Sequence, residues 1–440
     1  MIIQSQIYSN NRVLTSYLQM NLYICISLID CMKQFDVPNI YRSELITAIK
    51  NNRKQADKLK KDFSPTLLDF GNLKIYLARH FGFCYGVENA IEIAFRTIDE
   101  NPGKRIFLLS EMIHNPQVNH DLISRGVQFL QDTHGHQLIN FDTITSDDIV
   151  LIPAFGTTLA IEKMLNDKGI PTEKYNTTCP FVEKVWNRGE QIAQKGYSII
   201  IHGKAKHEET RATFSHASNV TPTVVVNDME ETIELAKYIT GEKHEAEFYT
   251  AFRGRYSEGF NVKTDLQKIG VINQTTQLAT DTQAIADYLK QVMIQHYQLD
   301  TTNIAAHFAD TRDTLCYATN DNQQATFGLL KEEADLAIVI GGHNSSNTTH
   351  LVELLESKFT TFFISNQDAI YSKNEILSYD IHTQALKKKK KFLPEKESIR
   401  VIVTSGASCP DIIVDEVLQK ILVLIGEEAK NLEKYLENLN

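Results

Sequence analysis

From residue 72 onward, short apolar runs alternate with amphipathic stretches, which is the grammar of α/β units. Strands are predicted at "KIYLAR" (74–79), "RIFLLS" (105–110), "DIVLIPAF" (148–155), "YSIIIHG" (197–203) and "TVVVND" (223–228). Further along they are predicted at "IGVINQT" (269–275), "LAIVIGG" (336–342), "TTFFIS" (360–365) and "RVIVTSG" (400–406). Helical periodicity follows most of them, as "VENAIEIAFRTI" follows the first. Several runs are apolar throughout rather than alternating, as expected of parallel strands covered on both faces. The fold class is therefore α/β. Three successive α/β domains are expected, at 72–178, 179–315 and 316–412, after an N-terminal arm (32–71) and before a C-terminal helix (413–440). The stretch 241–268 breaks the rhythm and predicts a long loop or insertion.

Two segments stand apart from this pattern. "LKKKKKFLPEKES" (386–398) predicts a solvated loop, because like charges in a block repel one another; the alternative is a docking patch for an acidic protein. Residues 1–31 carry only Arg12 and Asp30 as charges, without the basic start and small-residue cleavage site of a signal peptide. Met32 is the expected natural start, with 1–31 a doubtful upstream extension.

Composition narrows the class. The net charge of -10 argues against a general nucleic-acid binder, and no apolar run approaches the roughly 18–20 residues that span a bilayer. Six cysteines are too few and too scattered for a disulfide scaffold. The expectation is a cytoplasmic protein with reduced thiols, in which converging cysteines hold metal.

Three cysteines share a setting: Cys84 in "GFCYGV", Cys179 in "TTCPFV" and Cys316 in "TLCYAT". Each precedes a stretch with helical character, where the positive end of the helix dipole favours thiolate. Their separations of 95 and 137 residues fit neither a zinc ribbon nor a two-cluster ferredoxin. With one cysteine per domain, three thiolates would hold three irons of a cubane and leave the fourth open as a Lewis acid. Scattered buried core thiols are the plainer alternative. Cys25 and Cys31 lie in the doubtful extension, and Cys409 is expected to serve packing.

The loops "HGKAKHEET" (202–210), "GGHNSSNTTH" (341–350) and "TSGASCPD" (404–411) each follow a strong strand and precede a helix. Their hydroxyls, amides and glycines suit a ligand rich in phosphate oxygens. None is a nucleotide-binding fingerprint. His114 in "EMIHNP" and His207 are candidates for the same ligand, with Glu209 a proton donor in a site closed to water.

Taken together, "GFCYGVENAI", "SEMIHNP", "TTCPFVEKVW", "HGKAKHEET", "NQTT", "LCYAT", "NSSN" and "SGASCPD" resemble, in order over 72–420, the 4-hydroxy-3-methylbut-2-enyl diphosphate reductase family. The resemblance implies a trefoil of three α/β domains with short parallel-rich sheets around a central 4Fe–4S cluster held by Cys84, Cys179 and Cys316. It implies an allylic diphosphate substrate contacted by His114, His207, Ser345, Ser346, Asn347 and Ser408, with Thr275 near the substrate hydroxyl and Glu209 feeding protons. The implied reaction is reductive dehydroxylation to isopentenyl and dimethylallyl diphosphates, the last step of the methylerythritol phosphate route, with ferredoxin or flavodoxin as electron donor. A cluster-dependent hydro-lyase and a non-enzymatic iron–sulfur sensor are the competing readings. The former needs carboxylate-binding arginines, and the latter has no use for phosphate-type loops. One departure stands out: "PAFG" puts Phe155 where many bacterial members carry histidine, which with "HEET" and "KVW" is similar to the plant and cyanobacterial branch. Lys204, His202 or His343 would then supply the missing donor.

Overall fold

The computed structural model describes residues 35–300, 302–309 and 314–426, and its fold lies in the unit Val37–Asn440. Residues 1–31, Met32, Cys25 and Cys31 lie outside the described residues, as does the end of the expected C-terminal helix beyond 426.

All nine predicted strands form. The largest sheet has the order Thr66–Asp69, Leu73–Leu77, Ile399–Ser405, Leu336–Ile340, Thr361–Ile364. Of its four pairings, only the one at the first edge, Thr66 opposite Leu77, is antiparallel, and the rest are parallel. Leu336–Ile340 is buried at every position, because helices cover both faces of a parallel sheet. Two smaller parallel sheets complete the trefoil. One has the order Gln128–Phe129, Ile106–Leu108, Ile149–Leu151, and the other Thr223–Val226, Ser198–His202, Ile269–Asn273.

The expected contiguous boundaries need correction. Leu73–Leu77 does not belong with the sheet of Ile106–Leu108; it pairs with Ile399–Ser405, so the first and last strong strands share one sheet. Hydrophobic burial of both faces outweighs the loop-closure entropy, which grows only slowly with the length enclosed. The helix Glu44–Ala56 of the N-terminal arm packs on the same core, with Leu45, Ile46 and Ile49 buried. The C-terminal helix starts earlier than expected, at Asp411, and runs to Ile425.

Two further expectations change. The stretch 241–268 is not a plain loop: it carries the short helices Glu245–Ala251 and Val262–Asp265. Phe248 stacks between Phe252 and Phe260, at 5.0 and 5.3 Å, and this aromatic cluster seats the segment on the second small sheet. The lysine run is not a solvated loop either. Ala385–Lys390 is a strand paired antiparallel with Glu375–Asp380. Lys387 pairs with Asp380 at 2.8 Å and Lys388 with Glu375 at 3.3 Å, which relieves the like-charge repulsion.

The loops singled out in the sequence leave the carboxyl ends of strands: 78–84, 109–115, 152–158, 203–207, 274–278, 341–345 and 406–410. In parallel α/β sheets this is the edge at which ligands bind.

Candidate functional site

Each of the three cysteines is the residue that opens a helix. Cys84 precedes Tyr85–Glu100, Cys179 precedes Pro180–Ala193, and Cys316 precedes Tyr317–Leu329. Backbone amides aim at the sulfurs: Gly86 and Val87 at Cys84, Phe181 at Cys179, and Thr319 at Cys316 Sγ over 3.3 Å. Pro180 at the first helical position has no N–H to lose and a preset φ, so it fixes the helix start beside Cys179. A Cβ on Gly86 would collide with Cys179 Sγ, so only glycine lets these two strand-end loops come together. Gly82 serves a different purpose from closeness to the thiols: its φ of 80° lies in the left-handed region, and its neighbour is the Asp411 carboxylate.

Burial pushes all three thiols up, Cys316 to about 12, and negative charge at Cys84 raises both Cys179 and Cys316, as does charge at Cys316 for Cys179. A positive centre among them reverses that sign and favours the thiolates. Among the described residues, no three His, Cys, Asp or Glu side chains form a site for a single metal ion. The donor set instead suits a polynuclear centre, in which each thiolate takes a different metal. Cys409 is not among them; it is fully buried in the core of the large sheet.

Glu209 stands beside this group. It lies in the first turn of Glu208–Ser218, and its Oε1 accepts from the backbone N–H of Thr275 at 2.6 Å. Its charge reaches both Cys179 and Cys316. Burial pushes the Glu209 carboxyl up to about 7 against the opposing pull of the Thr275 hydrogen bonds. The Thr275 carbonyl in turn accepts from the Cys316 amide at 3.4 Å, so one residue ties the carboxylate to a thiol loop.

The anion-type donors join on the other side. Ser345 caps the helix Ser346–Glu356, accepting from the Thr348 amide at 3.3 Å. Asn347 Oδ1 accepts from the Ala407 amide at 2.9 Å, while its Nδ2 is buried without a partner. A buried amide nitrogen left unpaired costs about 1–3 kcal/mol and points to a ligand oxygen. Ser408 Oγ donates to the His114 carbonyl at 3.0 Å, and the His114 ring meets that of His207 edge-on at 5.1 Å. His207 Nδ1 accepts from the Glu209 amide at 3.2 Å, which leaves its proton on Nε2. Burial, with help from the charges of His114, Lys204 and Arg211, pushes His207 well below the usual histidine range.

Sequence reasoning missed two residues here. Gln274 is the hub between three loops. Its Oε1 accepts from Thr210 Oγ1 at 2.9 Å and from the Lys204 amide at 3.2 Å, and its Nε2 donates to Ser346 Oγ at 3.1 Å. Its only signal was its place in "NQTT". Glu208 pairs with His114 Nε2 at 2.7 Å; its signal was a second acidic residue where one suffices for the cap.

The candidates offered in place of a histidine at Phe155 separate. His343 stacks on Tyr379 at 4.5 Å, and burial pushes it down. His202 Nδ1 is bonded to Thr282 Oγ1 at 2.9 Å, and burial pushes it down to about 4. His202 is thus engaged by a hydrogen bond, while the His343 ring is stacked and its Nε2 is buried without a partner. Only Lys204 acts on this cluster, through its charge on His207. Phe155 itself stacks on His114 at 4.2 Å.

Fold and site together define an α/β protein of short, mostly parallel sheets, whose strand-end loops gather a thiol triad, a buried carboxyl and a ring of oxyanion-type donors. The chain belongs to the LytB protein family, whose model matches residues 75–422. It is 40% identical over 386 residues to the 4-hydroxy-3-methylbut-2-enyl diphosphate reductase of Gloeothece citriformis, covering 87% of this chain and 90% of that one. A relative of the same name from Rippkaea orientalis is 39% identical over 394 residues, covering 89% and 91%. Among solved structures, the E-1-hydroxy-2-methyl-but-2-enyl-4-diphosphate reductase from Plasmodium falciparum has a similar fold. Its TM-score is 0.56 at 20% identity, covering 81% of this chain and 89% of that chain.

Proposed function

We propose that this chain is a 4-hydroxy-3-methylbut-2-enyl diphosphate reductase, which takes two electrons and two protons and releases water to give isopentenyl or dimethylallyl diphosphate. The observation that carries this reading is the link, through Thr275, of the buried Glu209 to the Cys316 loop. A proton donor, a thiol triad and a polyoxyanion cradle are thereby assembled within one buried site.

The residues fit a 4Fe–4S cluster: three thiols at helix starts with amides aimed at their sulfurs, and a glycine where a Cβ would fill the space beside Cys179. Cys84, Cys179 and Cys316 would hold such a cluster, which would supply electrons singly and one iron without a protein thiolate as a Lewis acid. His114, His207, Ser345, Ser346, Asn347 and Ser408 bind the diphosphate, with the free Nδ2 of Asn347 and the Nε2–H of His207 as donors. This fixes the anionic end, so that binding energy orients the allylic end. Glu209 holds a proton at its carboxyl near neutral pH because burial disfavours its charged form. The Thr275 amide keeps that carboxyl in register, and in this reading the Thr275 side chain would face the substrate hydroxyl.

The electron donor is a ferredoxin or flavodoxin, and the exposed lysines of Ala385–Lys390 suit such an acidic partner. The four described cysteines are free thiols, which agrees with a cytoplasmic setting. No helix among the described residues is long and apolar enough to cross a membrane.

Anaerobic turnover with a reduced dye tests the reading. Dye oxidation dependent on 4-hydroxy-3-methylbut-2-enyl diphosphate, with both product diphosphates recovered, is expected. A loaded enzyme that dehydrates hydroxy acids without consuming dye would overturn it.

A further inference from the structure

Glu208 has no part in the reading above, yet it is the carboxylate most closely engaged with His114. It is buried, and both oxygens are committed. Ser110 Oγ donates to Oε1 at 2.7 Å, and Oε2 shares a hydrogen bond with His114 Nε2 at 2.7 Å. Ser110 and Glu208 come from different lobes, and their pairing joins the His114–Glu208 and His114–His207 contacts between the "SEMIHNP" and "HEET" loops. A buried carboxylate is expensive, and beside an anion-binding ring it also repels the ligand.

His114 is held on every side. Phe155 covers one face of its ring at 4.2 Å with an interplanar angle of 27°, and His207 meets it edge-on. Ser408 bonds its carbonyl, and Gly342 approaches that carbonyl so closely that a Cβ would clash. Two other carboxylates face it: Glu111 is turned to Asn344 Nδ2 at 2.8 Å, and Glu209 to the Thr275 amide at 2.6 Å.

A carboxylate oxygen only accepts, so the Nε2 of His114 is the donor and Nδ1 is the ring nitrogen left for a ligand. A neutral ring protonated at Nε2 presents a lone pair at Nδ1, which repels a phosphate oxygen. Donation from both nitrogens makes the ring an imidazolium, with Glu208 as its counter-charge. His207 is arranged oppositely, since its Nδ1 accepts and its Nε2–H donates from a neutral ring.

We propose that Glu208, braced by Ser110, is a positioning residue that orients His114 by accepting from its Nε2 and supplies the counter-charge when Nδ1 donates to the diphosphate. This rests on the diphosphate reading of the site. Simple electrostatics makes the opposite forecast: removing a negative charge beside an anion site tightens binding.

Calorimetric titration of inorganic pyrophosphate into the anaerobic holoenzyme separates the two. E208Q should weaken binding about tenfold, the worth of one charge-assisted hydrogen bond. S110A should weaken it by a smaller factor in the same direction. The KM for the allylic diphosphate should rise in step in both variants, with kcat and iron content retained. Equal or tighter pyrophosphate binding by E208Q overturns the brace. If E208Q fails to fold, equal or tighter binding by S110A does so. Failure of the unsubstituted holoenzyme to bind pyrophosphate overturns the diphosphate reading and this inference together.

Discussion

The backbone N–H of Thr275 donates to Glu209 Oε1 at 2.6 Å, while the Thr275 carbonyl accepts from the amide of Cys316. A proton-holding group is thereby tied to a thiol loop through one residue's backbone, and the Thr275 side chain adds a second hydrogen bond to the same carboxyl. E209Q preserves an acceptor for that amide and removes the titratable proton. It should lower kcat by about 10²-fold or more with little change in KM. Burial raises the Glu209 carboxyl to about 7, so the acid form is present below that value and lost above it. The wild-type rate should therefore fall as pH rises through about 7, and E209Q should lack that limb.

Gly86 and Gly82 flank the same cysteine, yet alanine should act differently at each. G86A puts a methyl against Cys179 Sγ inside a helix, where alanine otherwise favours folding by up to about 1 kcal/mol. The variant should fold with an ordinary Tm and retain little iron. G82A forces a side chain into a left-handed conformation beside Asp411 and should lower Tm, at about 1 kcal/mol or more. Iron content and thermal melts, measured on both, check the contrast.

Cys409 and the triad should part company in the same assay. C409S buries a hydroxyl in the apolar core of the large sheet and should destabilise by about 1–3 kcal/mol, with iron per chain unchanged. Iron loss in C409S equal to that in C316S would place Cys409 among the ligands.

The lysine strand offers a test of the proposed electron-donor surface. Lys389 and Lys390 lie in a strand whose backbone pairing with Glu375–Asp380 does not depend on their side chains. Glutamine at both should leave the fold and the dye-driven rate intact. It should raise the KM for a ferredoxin or flavodoxin and flatten its salt dependence. Unchanged donor kinetics at low salt would assign the strand a purely structural role.

The strands that the sequence reveals are those covered on both faces, such as Leu336–Ile340, because two-sided burial leaves an unbroken apolar run. Those it conceals pair antiparallel or at edges: Thr66–Asp69, Gln128–Phe129 and the meander from Ile370 to Lys390. There backbone hydrogen bonds and ion pairs such as Lys387–Asp380 decide, and four consecutive lysines can form a strand. The lobe boundaries were concealed because the pairing of Leu73–Leu77 with Ile399–Ser405 joins segments far apart in the chain. In the site, the cysteines were legible from their motifs. Gln274 and Glu208 were not, because in a polar loop they read as ordinary capping residues, and only the folded contacts reveal Gln274 as a hub and Glu208 as the partner of His114.

The central claim is that Cys84, Cys179 and Cys316 together hold one cluster that performs the reduction. Its most direct test is iron and acid-labile sulfide analysis of anaerobically purified protein, alongside substrate-dependent dye oxidation, for the wild type and for serine at each cysteine. About four irons and four sulfides per chain are expected in the wild type, the stoichiometry of a cubane. Each of C84S, C179S and C316S should lose cluster and activity together. A colourless wild-type protein with full activity, or a triad variant that keeps its rate without its iron, would contradict the account.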